Sequence, residues 1–492
     1  MPKPAPTIVW FRKDLRLADN PALADACARG GPVIPLFILD PSEPLGGASR
    51  WWLHHSLAAL SRACSALGSP LVLRAGSPAD LLLTLAGETG ATSIVWNRRY
   101  EPDIIVRDTS VKSALAARGI DARSFNATLL VEPSALRGHN GEPYKVFSPF
   151  WRTLAGHAPF AAPRPAPATL PAPATLVLSD TLDDWSLLPH APDWAAGLRA
   201  TWQVGEAAAA ERLVDFLDVD VAAYPDTRDR MDKAGTSRLA PHLHWGEVSM
   251  RQAWQAAAMT ADAHPAAAAG VTAFQRQLAW REFSAHLLFH WPHLAKRAWK
   301  PAYDHFPWAD NEAHFTAWTE GRTGYPVVDA AMRALWATGT MHNRARMIVA
   351  SFLVKHLLID WRRGADWFED TLVDADLANN RSGWQWVAGS GADASPYFRI
   401  FNPVLQGQKF DPDGTFVRQW VPELAGLDNR FIHQPWTAPG HALDEAGILP
   451  GETYPAPIID HDYARRRALD ALAAMKQAVI KNDESEAKRA SA

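Results

Sequence analysis

Four stretches in the second half of this chain concentrate side chains that could bind or react. The first runs from Gly235 to Gly246, GTSRLAPHLHWG. Thr236 and Ser237 precede a helical stretch, so their hydroxyls and the first free backbone N–H groups suit an anion, and Arg238 adds charge. A plain helix cap with a salt bridge fits the same residues. In the second, Gln277, Trp280 and Arg281 stand at i, i+3 and i+4 on one helical face. An amide, an indole and a guanidinium side by side suit a polar ring system next to an anion; a helix–helix surface is the plainer alternative. The third is MHNRARM, Met341 to Met347. Asn343 and Met347 face one way, Arg344 and Arg346 different ways, although a methionine at helical spacing is more often core. The fourth runs from Asp374 to Trp386, DADLANNRSGWQW. It has no histidine or third carboxylate at ligand spacing, so no metal site is expected. A buried acid pairing with Arg346 is expected instead.

These stretches need a scaffold, and 492 residues are enough to build a sizeable core. The 49 Lys+Arg against 53 Asp+Glu leave a charge of −4, which excludes a globally basic nucleic-acid binder but not a local basic groove. Cys27 and Cys64 form no CxxC pair, which excludes a disulfide framework and a cysteine-rich metal site and points to a reducing compartment. Tryptophan is abundant, with 22 Trp beside 8 Tyr and 19 Phe. Indoles fill cores, but they also stack on bases or carry electrons, and composition leaves both open. The N-terminus lacks a signal-like apolar region and no stretch is long and apolar enough to span a membrane, so a cytoplasmic protein is expected.

Short apolar runs at Thr7–Trp10, Val33–Leu39, Leu71–Leu73 and Ser93–Trp96 alternate with helical stretches such as Trp51–Leu67 and Ala79–Leu85. This alternation predicts a doubly wound parallel α/β domain over residues 1–132. It lacks GxGxxG, and the chain has no GxxxxGK[ST] loop, which argues against an ordinary dinucleotide or Walker-type site. Residues 133–204 read as a linker, with the Pro/Ala/Thr-rich Ala161–Leu176 at its centre. Helical periodicity dominates 205–463, a large all-α domain, with ARMIVASFLVKHLLIDW read as one helical run. Residues 464–492 read as a charged tail forming a fraying surface helix.

Together and in order, IVWFRKDLRLADNPAL, TSRLAPHLHWGE, LAWREFSAHLL, TGYPVVDAAMRALWATGTMHNRARMIVASFL, DADLANNRSGWQW and ASPYFRIFNP resemble the photolyase/cryptochrome flavoprotein family, from Thr7 to about Trp436. LLFHWPHL, WNRRYEP and the Asn-Ala-Thr-Leu-Leu stretch at 126 resemble the bacterial class III cyclobutane pyrimidine dimer (CPD) photolyases most. The resemblance implies an α/β antenna-binding domain and an all-α domain holding FAD in a folded form. Tyr224, Thr236, Ser237, Arg238 and Leu239 match positions around the FAD diphosphate, and Arg281 falls in the same cofactor set. Arg346 and Asp374 match an ion pair against the isoalloxazine, Asp376 an acid bonded to the flavin ring, and Asn380 the residue beside flavin N5. An amide at 380, unlike an acid, is a poor proton source. Trp384, Trp361 and Trp308 match a tryptophan triad that passes electrons to the photoexcited flavin.

For the substrate, Trp280 and Trp386 match the walls around a flipped dimer, Asn343 and Met347 the residues touching its bases, and Arg228, Arg344 and Arg399 the DNA-backbone contacts. The implied activity is light-driven repair of UV-damaged DNA by a monomeric deoxyribodipyrimidine photolyase. The implied antenna is methenyltetrahydrofolate, with 8-hydroxy-5-deazaflavin second. Asn343 after His342 argues against 6-4 repair, which uses a histidine pair here. Two positions depart from the pattern. Gln277 stands where CPD photolyases carry a glutamate that bonds the dimer carbonyl, and Thr340 replaces an aromatic. An amide can donate a hydrogen bond but no proton, so Gln277 favours the alternative, a cryptochrome-like blue-light photoreceptor with weak or no repair.

Overall fold

The computed structural model describes residues 4–393 and 398–490, with the side chains of 481–490 left aside. Residues 394–397, part of the ASPYFRIFNP match, lie outside the described residues. The N-terminal sheet consists of β1 (Thr7–Phe11), β2 (Val33–Leu39), β3 (Val72–Ala75), β4 (Ser93–Asn97) and β5 (Asp121–Phe125). All neighbours are parallel, in the order β3-β2-β1-β4-β5. In β1 and β4 both faces are buried, as expected for a sheet covered by helices on both sides. The helices between strands are α1 (Pro21–Ala28), α2 (Gly47–Ala66), α3 (Pro78–Thr89) and α4 (Pro102–Ala116). The apolar runs found β1 to β4, the edge strand β3 among them. They missed β5, an edge strand of sequence DARSF with only half-buried or exposed positions, which has no apolar run to find.

Residues 133–204 hold α5 (Phe147–Gly156) and α6 (Ala196–Thr201) among irregular chain. Beyond them come α7 (Glu206–Asp215), α8 (Tyr224–Thr227), α9 (Ala240–Trp245), α10 (Met250–Ala263), α11 (Ala268–His290), α12 (Glu312–Thr319), α13 (Pro326–Thr338) and α14 (Asn343–Ser351). They are followed by α15 (Trp361–Thr371), α16 (Leu377–Ala388), α17 (Pro403–Phe410), α18 (Thr415–Trp420), α19 (Gly440–Glu445) and α20 (His461–Ala490). No described strand lies past β5. Contacts divide the chain into two compact units. One comprises Met1–Pro225, Thr236–Pro292 and Val373–Ala378; the other comprises Asp226–Gly235, His293–Leu372 and Asn379–Ala492.

Two readings of the helical region are corrected. ARMIVASFLVKHLLIDW is not one helix: α14 passes into a π-helical turn, Phe352–His356, and the chain then breaks. Leu358 adopts φ +58, and Asp360 caps α15 by accepting from Arg362 N at 2.9 Å. Periodicity cannot register a left-handed residue inside an apolar run. The tail is not merely a surface helix. Ala464, Ala468, Ala471 and Met475 of α20 are buried, and Arg467 donates to the His356 carbonyl at 2.5 Å. A stripe of alanines carries too weak a hydrophobic signal to announce a core face.

Candidate active site

In the first unit, the turn from Thr236 to Leu239 leads into α9. Arg238 has φ +52, and its guanidinium lies 4.6 Å from the Trp202 ring centroid. Ser237 Oγ accepts from Leu239 N at 3.4 Å, and the residue before α9 is Leu239 itself. The helix-cap reading of Thr236 and Ser237 therefore fails. The turn is instead a strained loop presenting two half-buried hydroxyls and a cation. Burial, with Arg212 nearby, pushes the Arg238 pKa below its ordinary value. Among the described residues Arg238 has no carboxylate partner, so this donor set suits an anion. Tyr224 is buried edge-on between Phe216 and Phe274, at 5.4 and 6.3 Å.

On α11, Trp280 stacks flat on Phe147, with centroids 3.7 Å apart and planes 7° apart. Phe283 braces both rings edge-on. One indole face is thus backed by α5, while the side chain as a whole is only half-buried. Gln277, one turn earlier, is half-buried, and its amide bonds to no described residue. Glu282 anchors the helix to the Asn-Ala-Thr-Leu-Leu stretch, accepting from Leu130 N and Val131 N at 3.0 and 2.9 Å. Burial raises this carboxyl to about 8. Arg281 pairs with Asp376 at 2.8 Å, and His244 Nδ1 lies 3.8 Å from the same carboxylate. Burial holds His244 at about 4, so it is neutral at pH 7. Asp374 is buried; its carbonyl accepts from Asp376 N at 2.7 Å, and Trp245 Nε1 donates to Val373 O.

In the second unit, His342 caps α14 by accepting from Arg344 N at 3.1 Å; burial lowers its pKa to about 4. Asn343 Nδ2 lies 3.9 Å from Met347 Sδ, so the pair shares a face as its spacing predicts. Arg344 pairs with Asp229 at 2.9 Å and lies 4.3 Å over Phe410, while Arg346 donates to Met341 O at 2.8 Å. Arg228 lies 3.8 Å from Asp229. Arg399 is exposed, 5.0 Å from the Phe401 ring centre.

Asn380 and Trp384 stand at i and i+4 on α16. The Asn380 Nδ2 donates to Ala365 O at 2.9 Å and reaches Glu369 at 3.4 Å, so its carbonyl oxygen is the end left to meet a ligand. Trp384 lies directly on α15: a Cβ built at Gly364 would collide with the indole. That glycine stands three residues after Trp361 on α15, and the Trp384 ring also packs edge-on against Phe368 of the same helix, with centroids 5.1 Å apart. Ala309 N donates to Leu358 O at 2.7 Å, which ties the Trp308 loop to the chain just before Trp361. Trp384 and Trp361 are buried at 2% and 1% exposure, and Trp308 is half-buried. Trp386 is also half-buried. Its neighbour Gln385 is buried, accepting from Trp299 N and donating to Leu294 O and Arg297 O. Phe147, Asp229, Glu369 and Ala365, which hold the predicted residues in place, were not legible in the sequence. Gly364 among the large residues of WRRGADW was the one available signal.

The pattern described as "DNA photolyase" matches residues 7–172, and that described as "FAD binding domain of DNA photolyase" matches 274–474. The deoxyribodipyrimidine photo-lyase of Agrobacterium fabrum is 53% identical over 476 residues, 96% of this chain and 99% of the relative. This chain belongs to the DNA photolyase/cryptochrome family. Cryptochrome-1 of Arabidopsis thaliana is 40% identical over 489 residues, 96% of this chain and 70% of the relative. The crystal structure of a bacterial class III photolyase from Agrobacterium tumefaciens superposes with a TM-score of 0.95, covering 97% of this chain and 99% of that one. Membership of this photolyase family carries the FAD-binding domain with it, and the residues fit the cofactor. Arg238, with no carboxylate partner and two hydroxyls beside it, suits a diphosphate, and the Asn380 carbonyl oxygen suits a flavin N–H. Among the described residues no cluster suits a metal ion, and no helix is long and apolar enough to cross a membrane.

Proposed function

We propose that the protein is a light-driven deoxyribodipyrimidine photolyase that splits cyclobutane pyrimidine dimers in UV-damaged DNA. The observation that carries this reading is the 53% identity to a deoxyribodipyrimidine photo-lyase over 96% of the chain, and the seating of Trp384 on α15 at Gly364, with Asn380 one turn away, is consistent with it. FAD, when bound, supplies the light-absorbing group and the electron. Thr236, Ser237 and Arg238 hold its diphosphate, and Tyr224 and Leu239 pack beside them. Arg281, Arg346, Asp374 and Asp376 set the charge around its ring. Asn380 accepts a hydrogen bond and, as an amide, releases no proton. Trp384, Trp361 and Trp308 lead electrons from the surface inward. Trp280, backed by Phe147, and Trp386 stack on the extruded lesion, which is cheap to flip because it is already poorly stacked. Asn343 and Met347 touch the bases, Gln277 donates to a carbonyl, and Arg228, Arg344 and Arg399 take phosphates.

The likeness to a class III photolyase favours methenyltetrahydrofolate as antenna over 8-hydroxy-5-deazaflavin; the absorption spectrum of the purified protein separates them. The deciding experiment incubates photoreduced protein with a thymine-dimer oligonucleotide under blue light. Restored thymines support repair. Intact flavin photoreduction without restored thymines favours a cryptochrome-like receptor, the reading that Gln277 supports. W384F is expected to stop flavin photoreduction, which ties the tryptophan series to either reading.

A further inference from the structure

Asn343, Met347, Ser351 and Lys355 recur every four residues along α14 and the π-helical turn that continues it. The first two are the lesion-contacting candidates. The last two face a different task. Ser351 Oγ accepts from Phe401 N at 3.3 Å, and Lys355 Nζ donates to the Arg399 carbonyl at 2.5 Å while lying 4.6 Å over the Phe398 ring. Further on, Asn402 caps α17, and Phe410 at the end of α17 sits under Arg344. The segment 398–410 thus runs antiparallel along the helix and is fastened to it at 355, 351 and 344. Two of the three DNA-backbone candidates, Arg344 and Arg399, sit at opposite ends of this strap.

Lys355 is 2% exposed, and among the described residues no carboxylate lies within ion-pair distance of it. A buried lysine without an acid is costly and asks for a reason. We propose that Lys355 is a positioning residue for DNA binding, clamping the backbone that carries Arg399 to the helix that carries Asn343 and Met347. The inference rests on the repair reading, from which Arg399 takes its phosphate.

A proton linkage follows from the geometry. Burial first, and Arg399 second, push Lys355 down to about 7. Next on its own turn is His356, which bonds His461 and whose carbonyl accepts from Arg467, both on α20, with Asp460 and Asp462 beside His461; Tyr303 shares an apolar cluster with Phe398, the ring under Lys355. His356 is held at about 3 and Tyr303 at about 12, so neither titrates near neutrality. A phosphate on Arg399 cancels the repulsion that Lys355 feels. Lys355 then takes up a proton as DNA binds, and affinity falls as pH rises through 7.

The test is calorimetric titration of the FAD-loaded protein in the dark with thymine-dimer and undamaged duplexes. It is run from pH 6.5 to 8.5 in buffers of different ionisation enthalpy. Wild type is expected to take up a fraction of one proton and to lose up to about tenfold in affinity per pH unit above 7. K355M should bind about two- to tenfold more weakly at pH 6.5, the scale of one hydrogen bond, with a flat profile. K355R, always charged, should bind like wild type at pH 6.5 and stay flat. R399Q, a surface change, should also lose the proton uptake and serves if the buried variants do not fold. Retained linkage in K355M or R399Q, or none in wild type, overturns the proposal. Equal affinity for damaged and undamaged DNA overturns the repair reading instead, since a phosphate-linked proton would be seen with both.

Discussion

The carboxyl edge of the sheet and the helix from Asn343 to His356 are both crowded with cations, and they use them in opposite ways. At the sheet edge the chain order reverses between β1 and β4, the place where open α/β sheets usually bind ligands. Here that edge is filled. Arg12 pairs with Asp108 and also donates to the Asn97 carbonyl; Arg99 pairs with Glu43 and Glu101; Arg107 pairs with Asp40, Glu43 and Asp108. The Trp10 ring has Arg12 at 4.8 Å and Arg107 at 5.1 Å. Along the helix, Arg344 has one acid, while Arg399 and Lys355 have none among the described residues. A cation with all its partners inside the chain stabilises the fold. An exposed cation left short of partners, as Arg399 is, can meet a ligand, while the buried Lys355 spends its charge on holding the Arg399 backbone in place.

Five changes would sharpen or break this contrast. The largest effect is expected at the sheet edge. D108N leaves Arg12 and Arg107 without their shared charge and should cost about 3–5 kcal/mol in unfolding experiments, with flavin photoreduction intact. Next is the pH dependence of stability from Lys355. Its folded value of about 7 lies below the ordinary 10.5, so between those values the unfolded chain holds more protons. Stability should therefore rise with pH across that window, by at most about 1.4 kcal/mol for each pH unit, and K355M should flatten the rise in chemical denaturation followed from pH 7 upward. G364A forces a methyl into the Trp384 indole and should cost about 1–3 kcal/mol while slowing photoreduction, seen by thermal melts and absorption under light. W280A should weaken binding of dimer-containing DNA by about 1–3 kcal/mol, the worth of one stacked base, without changing stability as D108N does. The smallest effect is expected for Q277E. It should change the repair rate at saturating DNA by less than about tenfold, one hydrogen bond being worth about 0.5–1.5 kcal/mol, and make that rate fall as pH rises, whereas in wild type it stays flat. Loss of photoreduction in D108N would break the contrast.

The inner strands, the long helices and the order of the motifs were legible, because each rests on a local pattern. A buried parallel strand is a continuous apolar run, and a packed helix repeats every three to four residues. Asn343 and Met347 were read correctly as one face for the same reason. The strand β5, the break at Leu358 and the buried alanine stripe of α20 were not legible, since none alters the local hydrophobic signal enough. A helix cap stayed open beside the anion-binding reading of Thr236 and Ser237 because the sequence does not mark the left-handed turn at Arg238.

The sequence by itself determined which side chains could take part: the amides, indoles and cations, their helical spacing, and the glutamine at 277. Only the tertiary structure decided which of them are already engaged. Arg281 turned out to be paired with Asp376, one face of Trp280 to be covered by Phe147, and the amide nitrogen of Asn380 to be held by Ala365 and Glu369. Spacing along a helix fixes direction, which is a local property. A partner comes from residues distant in the chain, and its presence settles how much of a polar group remains for a ligand.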